Sequence, residues 1–386
     1  MKKFFYWSPH ISNVATIKNV INSAKSLKLY SKKPIEVTIL DAVGEWHSFK
    51  EELNRFNINL FDMHGIKLKK YLPVSGYFKS RIVFFIITLT KYFSLKKILK
   101  NQKPDFLIIH LITILPIILL IFSKFKTKFI LRISGLPRYT FLRKILWKIV
   151  AHKIYLVTCP SLQTKVDLSK LKLFPEHKLK VLYDPILEIN KINSELKKQN
   201  TNIYNEKKYF INIGRLTKQK NQMLLINAFS EVLEKHKNLF LLIVGEGEER
   251  KNLQKFIIQK KLDKNIFLAG YINNVYPLIK SSLAVISSSL WEDPGAVMIE
   301  GSYCGKNIIS SDCKNGPKEF LSNGKGGYLF TNNDKTDLVD KMEKFLNDNY
   351  QDKFKKILLC KKKSKNYTIF NHYKVFFSLF DINKES

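Results

Sequence analysis

Leu283-Ala-Val-Ile-Ser-Ser-Ser-Leu-Trp-Glu-Asp-Pro-Gly-Ala-Val-Met-Ile-Glu300 is the stretch whose reading decides the fold. Its first residues read as a buried strand and Leu290-Trp291 as part of a loop. Pro294 suits the first position of a helix, because its fixed φ is helical and its missing N–H has no partner there. A second short strand, Asn307-Ile-Ile-Ser310, follows, so the unit runs strand, helix, strand. The helix start points free amides and a positive dipole end at whatever lies before it, which suits a phosphate. Glu292 then stands at the mouth of that site, and Glu300 almost two turns further on, roughly 9 Å along the axis. That span fits a sugar nucleotide: one carboxylate for the sugar, one for the ribose hydroxyls, phosphates between. Two glutamates flanking a helix are also common, so the pair alone leaves both readings open.

Outward from this unit the whole chain alternates strand-like and helix-like segments, the pattern of parallel α/β sheets. Phe4–Trp7, Glu36–Leu40, Asn57–Phe61, Phe106–Ile109, Phe129–Ile133 and Tyr155–Thr158 read as strands, with amphipathic stretches such as Val14–Leu27 and Phe141–Ile149 between them. The pattern restarts at Tyr209–Ile213 and continues through Phe240–Val244 and Ile266–Ala269. At 386 residues the chain is too long for one core. The expected division is a first domain over 1–185, a linker over 186–208 rich in Asn and Lys, and a second domain over 209–365. A terminal helix over 366–386 is expected to return to the first domain. The fold class is two doubly wound α/β domains facing one another across a cleft.

Charge is extreme and uneven. The net is +34; residues 1–185 hold 33 Lys and Arg against 10 Asp and Glu, and the remainder 33 against 22. Such a field attracts polyanions: nucleic acid, an anionic membrane surface or a phosphorylated substrate. A lysine-rich genome explains the excess but not its asymmetry. The apolar run Phe106–Phe122 approaches the length of a spanning helix, yet Pro104-Asp105 and Pro116 split it into a strand, a turn and a helix. Ile82–Leu89 with Lys91, Lys96, Lys97 and Lys100 behind it has the pattern of an interfacial membrane contact, and equally of a core helix with a solvated end. The four cysteines form no Cys-x-x-Cys pair, and the N-terminus has no signal-peptide pattern, so a reducing cytoplasm is expected.

Gly214-Arg-Leu-Thr-Lys-Gln-Lys220 follows a strand and opens a helix, at the carboxyl edge where such sheets bind ligands. Gly214 permits the turn. Arg215 can offer two parallel hydrogen bonds to a diphosphate and Lys220 a point charge. Gly245-Glu-Gly247 closes the next strand at the same edge.

Together these residues resemble the retaining nucleotide-sugar glycosyltransferases of family 4, which have the GT-B fold. The resemblance is specific across 209–330. It is carried by the Gly-Arg-Leu…Lys loop, Gly245-Glu-Gly247, the Glu292-x7-Glu300 element, and Asn315-Gly-Pro-Lys-Glu-Phe-Leu321 with Asn323-Gly-x-x-Gly-Tyr-Leu-Phe330. It implies that Arg215 and Lys220 bind the donor diphosphate, Glu292 meets the donor sugar near the reacting carbon, and Glu300 the ribose. The amides of Gly295 and Ala296 would meet phosphate or sugar, and Gly270-Tyr271 would lie near the base. Many relatives have Glu-Gly-Phe where this chain has Glu292-Asp-Pro, so one expected amide contact is absent or replaced at Pro294.

The first half resembles the family loosely. The loop after its first strand, Ser8–Val14, lacks the usual glycines, and Ser12 and Asn13 in it are expected on the acceptor side. His110 closes the strand Phe106–Ile109 where the family often places a histidine near the reaction centre; a core histidine is the competing reading. Ser134, Gly135 and Arg138, in the loop after Phe129–Ile133, complete the acceptor side.

No Asp-x-Asp occurs and no His/Cys/Asp cluster has metal-ligand spacing, so no metal and no cofactor beyond the nucleotide-sugar co-substrate, a UDP- or GDP-sugar, is expected. The resemblance implies a retaining, metal-independent transferase acting on a surface polysaccharide or lipid-linked glycan, peripheral on the inner face of the cell membrane. Three rivals remain: a GT-B sugar-nucleotide epimerase, a basic nucleic-acid-binding protein, which lacks a recognised module here, and a catalytically inactive scaffold, against which Arg215, Lys220, Glu292 and Glu300 stand.

Overall fold

The computed structural model describes residues 1–10, 15–63, 77–133, 139–198 and 207–379. The chain forms two compact units, residues 1–185 with 369–386, and residues 186–368.

Among the described residues the first unit is built on seven strands, β1 (Lys2–Trp7), β2 (Ile35–Asp41), β3 (Asn59–Asp62), β4 (Phe106–Ile109), β5 (Lys128–Arg132), β6 (Leu156–Cys159) and β7 (Leu179–Val181). All pairs are parallel, in the order β3-β2-β1-β4-β5-β6-β7. β4 is buried along its whole length, which is why its sequence is a continuous apolar run rather than an alternation. One face of the sheet is covered by the helices Tyr77–Gln102, Ile114–Phe122 and Phe141–Val150, which contribute Ile87, Leu115 and Trp147 to the core. The other face is covered by the helix Ala15–Tyr30 and by Ile369–Leu379, whose Phe376 and Phe377 pack beside Phe4.

The second unit has, among the described residues, six strands, β8 (Lys208–Ile213), β9 (Leu239–Val244), β10 (Ile266–Gly270), β11 (Ala284–Ser287), β12 (Asn307–Ser311) and β13 (Tyr328–Phe330). They are again all parallel, in the order β10-β9-β8-β11-β12-β13. The helix Gln222–Lys235 buries Leu225, Phe229 and Val232 on one face, the spacing its sequence predicts.

Several expectations give way. The helix expected to open at Pro294 opens at Ala296, because Gly295 adopts φ +91°, outside the helical region; the Asp293–Pro294 peptide is cis. Glu300 therefore lies about one turn inside the helix, not two. Residues 186–198 are not a linker. They carry the helix Ile189–Lys197, which packs on Tyr276–Ser281 within the second unit and is amphipathic despite its Asn and Lys content. The apolar run Phe106–Phe122, by contrast, divides as its sequence predicts, into β4 and the helix Ile114–Phe122, with Pro116 in the first turn, where no helical hydrogen bond is lost. Among the described residues no helix is long and apolar enough to cross a membrane.

Candidate functional site

In the second unit the chain runs from β8 outward to β9 and β10, then returns to lay β11 on the other side of β8. The loops leaving β8 and β11 therefore diverge, and the crevice they leave at the carboxyl ends of the strands is where open α/β sheets hold ligands. The first loop carries Arg215 and Lys220; the second carries Glu292.

Both loops are fixed by backbone contacts. Leu216 is buried, and its N–H donates to the Glu246 carbonyl at 2.9 Å. The approach requires glycine: a Cβ on Gly245, at φ +142°, would sit 1.9 Å from the Gly214 carbonyl oxygen, and one on Gly247 would sit 2.2 Å from that of Leu216. Arg215 is left exposed at the crest of this turn. Leu290 N–H donates to the Gln219 carbonyl at 2.8 Å, Gln219 Nε2 to that of Trp291 at 2.9 Å, and Ser288 Oγ to that of Lys220 at 2.9 Å. These bonds bring the two loops together.

Lys220 Nζ then lies 2.5 Å from Glu292 Oε1, and Ser289 Oγ donates to the same oxygen at 2.6 Å. Glu292 is only 9% exposed. Both bonds land on Oε1, so Oε2 is the oxygen that remains for a ligand. The next loop joins them: Trp291 bridges Lys314, and Gly316, at φ +138°, passes so close to Pro294 that a Cβ would stand 2.4 Å from its carbonyl oxygen. Asn315 is buried between, at φ +61°, and neither atom of its amide has a hydrogen-bond partner among the described residues. Such a group is ready for a polar ligand.

Glu300 is 8% exposed and accepts a 3.1 Å hydrogen bond from the Tyr276 hydroxyl. Burial, and after it the Glu300 charge, push the Tyr276 phenol far above its ordinary range, so it remains a donor. The helix Ala296–Tyr303 starts without a side-chain cap, leaving its first amides for a bound anion. Gly270 ends β10 at φ +73°, its carbonyl accepting from Gly245 N–H at 2.8 Å, and the Tyr271 ring beside it faces solvent. The structure thus gathers Gly214, Lys220, Glu292, Gly295 and Ala296 around one strand edge. Ser289, Tyr276 and Asn315 are functional candidates that motif reading passed over.

In the first unit the corresponding reversal lies between β1 and β4. His110 N–H donates to the Trp7 carbonyl at 3.0 Å, but the His110 ring is buried on the inner face, stacked on Tyr6 with centroids 6.1 Å apart. It shares a small cavity with Arg132, Asp184 and His372. Burial, then the Arg132 and His372 charges, hold its imidazole well below the ordinary range, so it is neutral at pH 7. Arg132 pairs with Asp184 in the same interior. His372 Nδ1 donates to the Tyr183 carbonyl at 2.8 Å, and its Nε2 lies 2.9 Å from Ser23 Oγ, which meets the Tyr6 hydroxyl at 2.9 Å. This setting ties His110 to an internal polar network. Ser12, Asn13, Ser134, Gly135 and Arg138 lie outside the described residues.

Residues 193–364 match the family described as Glycosyl transferases group 1. An uncharacterized glycosyltransferase of Methanocaldococcus jannaschii is 35% identical over 252 residues, 60% of this chain and 62% of that protein. The poly(ribitol-phosphate) alpha-N-acetylglucosaminyltransferase of Staphylococcus aureus is 32% identical over 136 residues, 35% of this chain and 28% of that protein. The chain thus spans less than two thirds of either relative's length. Among solved structures, Anabaena HepE in complex with UDP superposes with a TM-score of 0.73 at 16% identity, covering 98% of this chain and 99% of that one. TarM, from S. aureus, gives 0.74 at 15% identity, covering 99% of each. The second unit carries the match to the glycosyl transferases group 1 family, and the chain as a whole has the GT-B fold.

Proposed function

We propose that this protein is a retaining, metal-independent glycosyltransferase of family 4 that moves a sugar from a UDP- or GDP-sugar to a surface-polysaccharide or lipid-linked glycan, at the inner face of the cell membrane. The observation that carries the reading is the meeting of Lys220 and Glu292 at the topological switch of the second sheet. A cation, a helix start without a cap and a buried carboxylate stand together there, as a diphosphate-linked sugar requires. Solved relatives of the same fold include HepE bound to UDP-glucose.

In this reading Lys220, Arg215 and the amides of Gly295 and Ala296 hold the diphosphate and stabilise the charge that develops on it as it leaves. Glu292 Oε2 contacts the sugar near its anomeric carbon, and Glu300, held by Tyr276, binds the ribose hydroxyls. The bond from the anomeric carbon to the diphosphate oxygen breaks, and the acceptor oxygen bonds to that carbon on the same face. The acceptor proton passes to the departing phosphate. The sequence contains no Asp-x-Asp, so the proposal assigns the charge of the leaving group to side chains and amides.

The test incubates the protein with UDP-, GDP- and ADP-sugars in EDTA and measures nucleotide release, with Glu292→Ala alongside. Release from one donor, lost in the variant, supports the reading and names the donor. Release abolished by EDTA and restored by a divalent cation would remove metal independence, and an isomerised nucleotide sugar without transfer would identify an epimerase.

A further inference from the structure

In a globular core each surface helix needs one apolar face. Two helices of the first unit have two. In Tyr77–Gln102, Val83, Ile87 and Leu95 face the sheet, while Ile82, Phe85, Leu89 and Phe93 form a second row facing outward. In Phe141–Val150, Trp147 and Val150 face inward, while Phe141, Ile145 and Ile149 face out at intervals of four. These are not grazing exposures: Phe85 is 64% accessible, Phe93 77% and Phe141 81%. The helix Ile114–Phe122 lies between the two and packs on both, so their outer rows belong to one face.

The charge around this face has one sign. Where the row on Tyr77–Gln102 ends, the same side continues into Lys96, Lys97 and Lys100. Lys124 and Lys126 follow the exposed Phe122, and Lys148 lies within the outer part of the third helix. Between Tyr77 and Val150 the sequence holds fifteen Lys and Arg and a single acid, Asp105.

We propose that this face docks on an anionic lipid bilayer, with the two aromatic-aliphatic rows entering the acyl boundary and the lysines meeting the headgroups. A nucleic acid would satisfy the lysines but leave the rows in water. A second copy of this chain would set like charges against one another. Anionic lipid alone answers both features, since long cationic side chains reach headgroups while their helix sinks below. No described helix is able to cross a membrane, so the contact is interfacial. The inference locates the membrane contact of the proposed function, but it is read from the first unit alone and is independent of the donor chemistry.

The experiment is co-sedimentation of the full chain, without any sugar nucleotide, with phosphatidylcholine vesicles that contain or lack phosphatidylglycerol. The wild type is expected to pellet with the anionic vesicles and to be released by salt. Phe93→Ser with Phe141→Ser should weaken that binding by about a hundredfold, since each phenyl ring removed from the bilayer forfeits roughly tenfold. Lys97→Glu with Lys148→Glu should abolish the preference for anionic lipid. Both pairs lie on the surface, so melting temperature and donor-nucleotide binding should stay at wild-type values, which separates docking from folding and from the transferase reading. Undiminished vesicle binding in the serine pair would overturn the proposal. So would equal binding to neutral vesicles, or a wild-type self-association in free solution that the serine pair abolishes.

Discussion

Lys220 and Glu292 are 72 residues apart in sequence, yet Nζ and Oε1 lie 2.5 Å apart. Their pairing spans two adjacent strands of the second sheet, and a donor diphosphate would compete with Glu292 for the ammonium. On the proposed function the two side chains therefore act as one unit in binding as well as in chemistry. Glu292→Gln and Lys220→Met should each lower kcat on the order of 100-fold. The double variant should fall well short of the product of the two losses, because either single change leaves its partner uncompensated. A double-mutant cycle on steady-state kinetics checks this; multiplicative losses would show that the residues act separately.

Tyr276→Phe removes the hydroxyl that orients Glu300. Donor KM should rise by about tenfold, the worth of a hydrogen bond to a charged group. Glu300→Gln should weaken a ribonucleotide donor more than a 2′-deoxyribonucleotide analogue, which has already lost one of the two hydroxyls. An equal loss for both would take Glu300 away from the ribose.

Asn315 predicts opposite effects on stability and activity. Its buried amide has no hydrogen-bond partner among the described residues, so Asn315→Ala should leave the melting temperature unchanged or raise it while worsening donor KM. A lower melting temperature with unaltered kinetics would assign the residue to folding.

Gly245→Ala should destabilise the protein by roughly 2 kcal/mol or more, because the new methyl would collide with the Gly214 backbone at a φ that L residues avoid. Denaturant unfolding measures it. Gly305→Ala, with open space around its Cβ, is the control for backbone conformation alone.

Acid should act through His372. Burial, with Arg132 adding to it, pulls the His372 imidazole down to about 4 against the Tyr183 hydrogen bond, while the unfolded chain titrates near the ordinary 6.5. The unfolded state thus takes up a proton that the folded state refuses. The stability contributed is full above about pH 6.5 and is lost as pH falls toward 4, on the order of 3 kcal/mol in all. Thermal melts across that window should show a shallower fall for His372→Gln than for the wild type.

Much of this was legible in the sequence because parallel sheets write themselves as apolar runs. β4, β9 and β12 are buried on both faces and were visible as such, whereas β7 and β13, of three residues each, carry too few positions to register. Lys220 and Glu292 were legible as chemistry, since a strand-end loop limits where they stand. Ser289 and Tyr276 were not: a serine in a serine run and a tyrosine on a short helix acquire meaning only from Glu292 and Glu300 across space. His110 shows the converse. Its position at a strand end suggested substrate, but strand parity sends the ring to the side of Ile108, toward the inner core.

The second unit enters and leaves by adjacent points. Ile186 and Leu187 both donate to the Tyr367 carbonyl at 2.9 Å, and Leu187 bridges Thr368 before the chain returns to the first unit at Ile369. Topologically, residues 186–368 are an insertion stapled at its own base. A recombination event with breakpoints at those two positions would exchange a complete cassette, leaving the first unit's sheet, its closing helix and its basic face intact. On that plan, the proposed donor specificity and the proposed membrane contact would diverge in evolution as separately heritable traits.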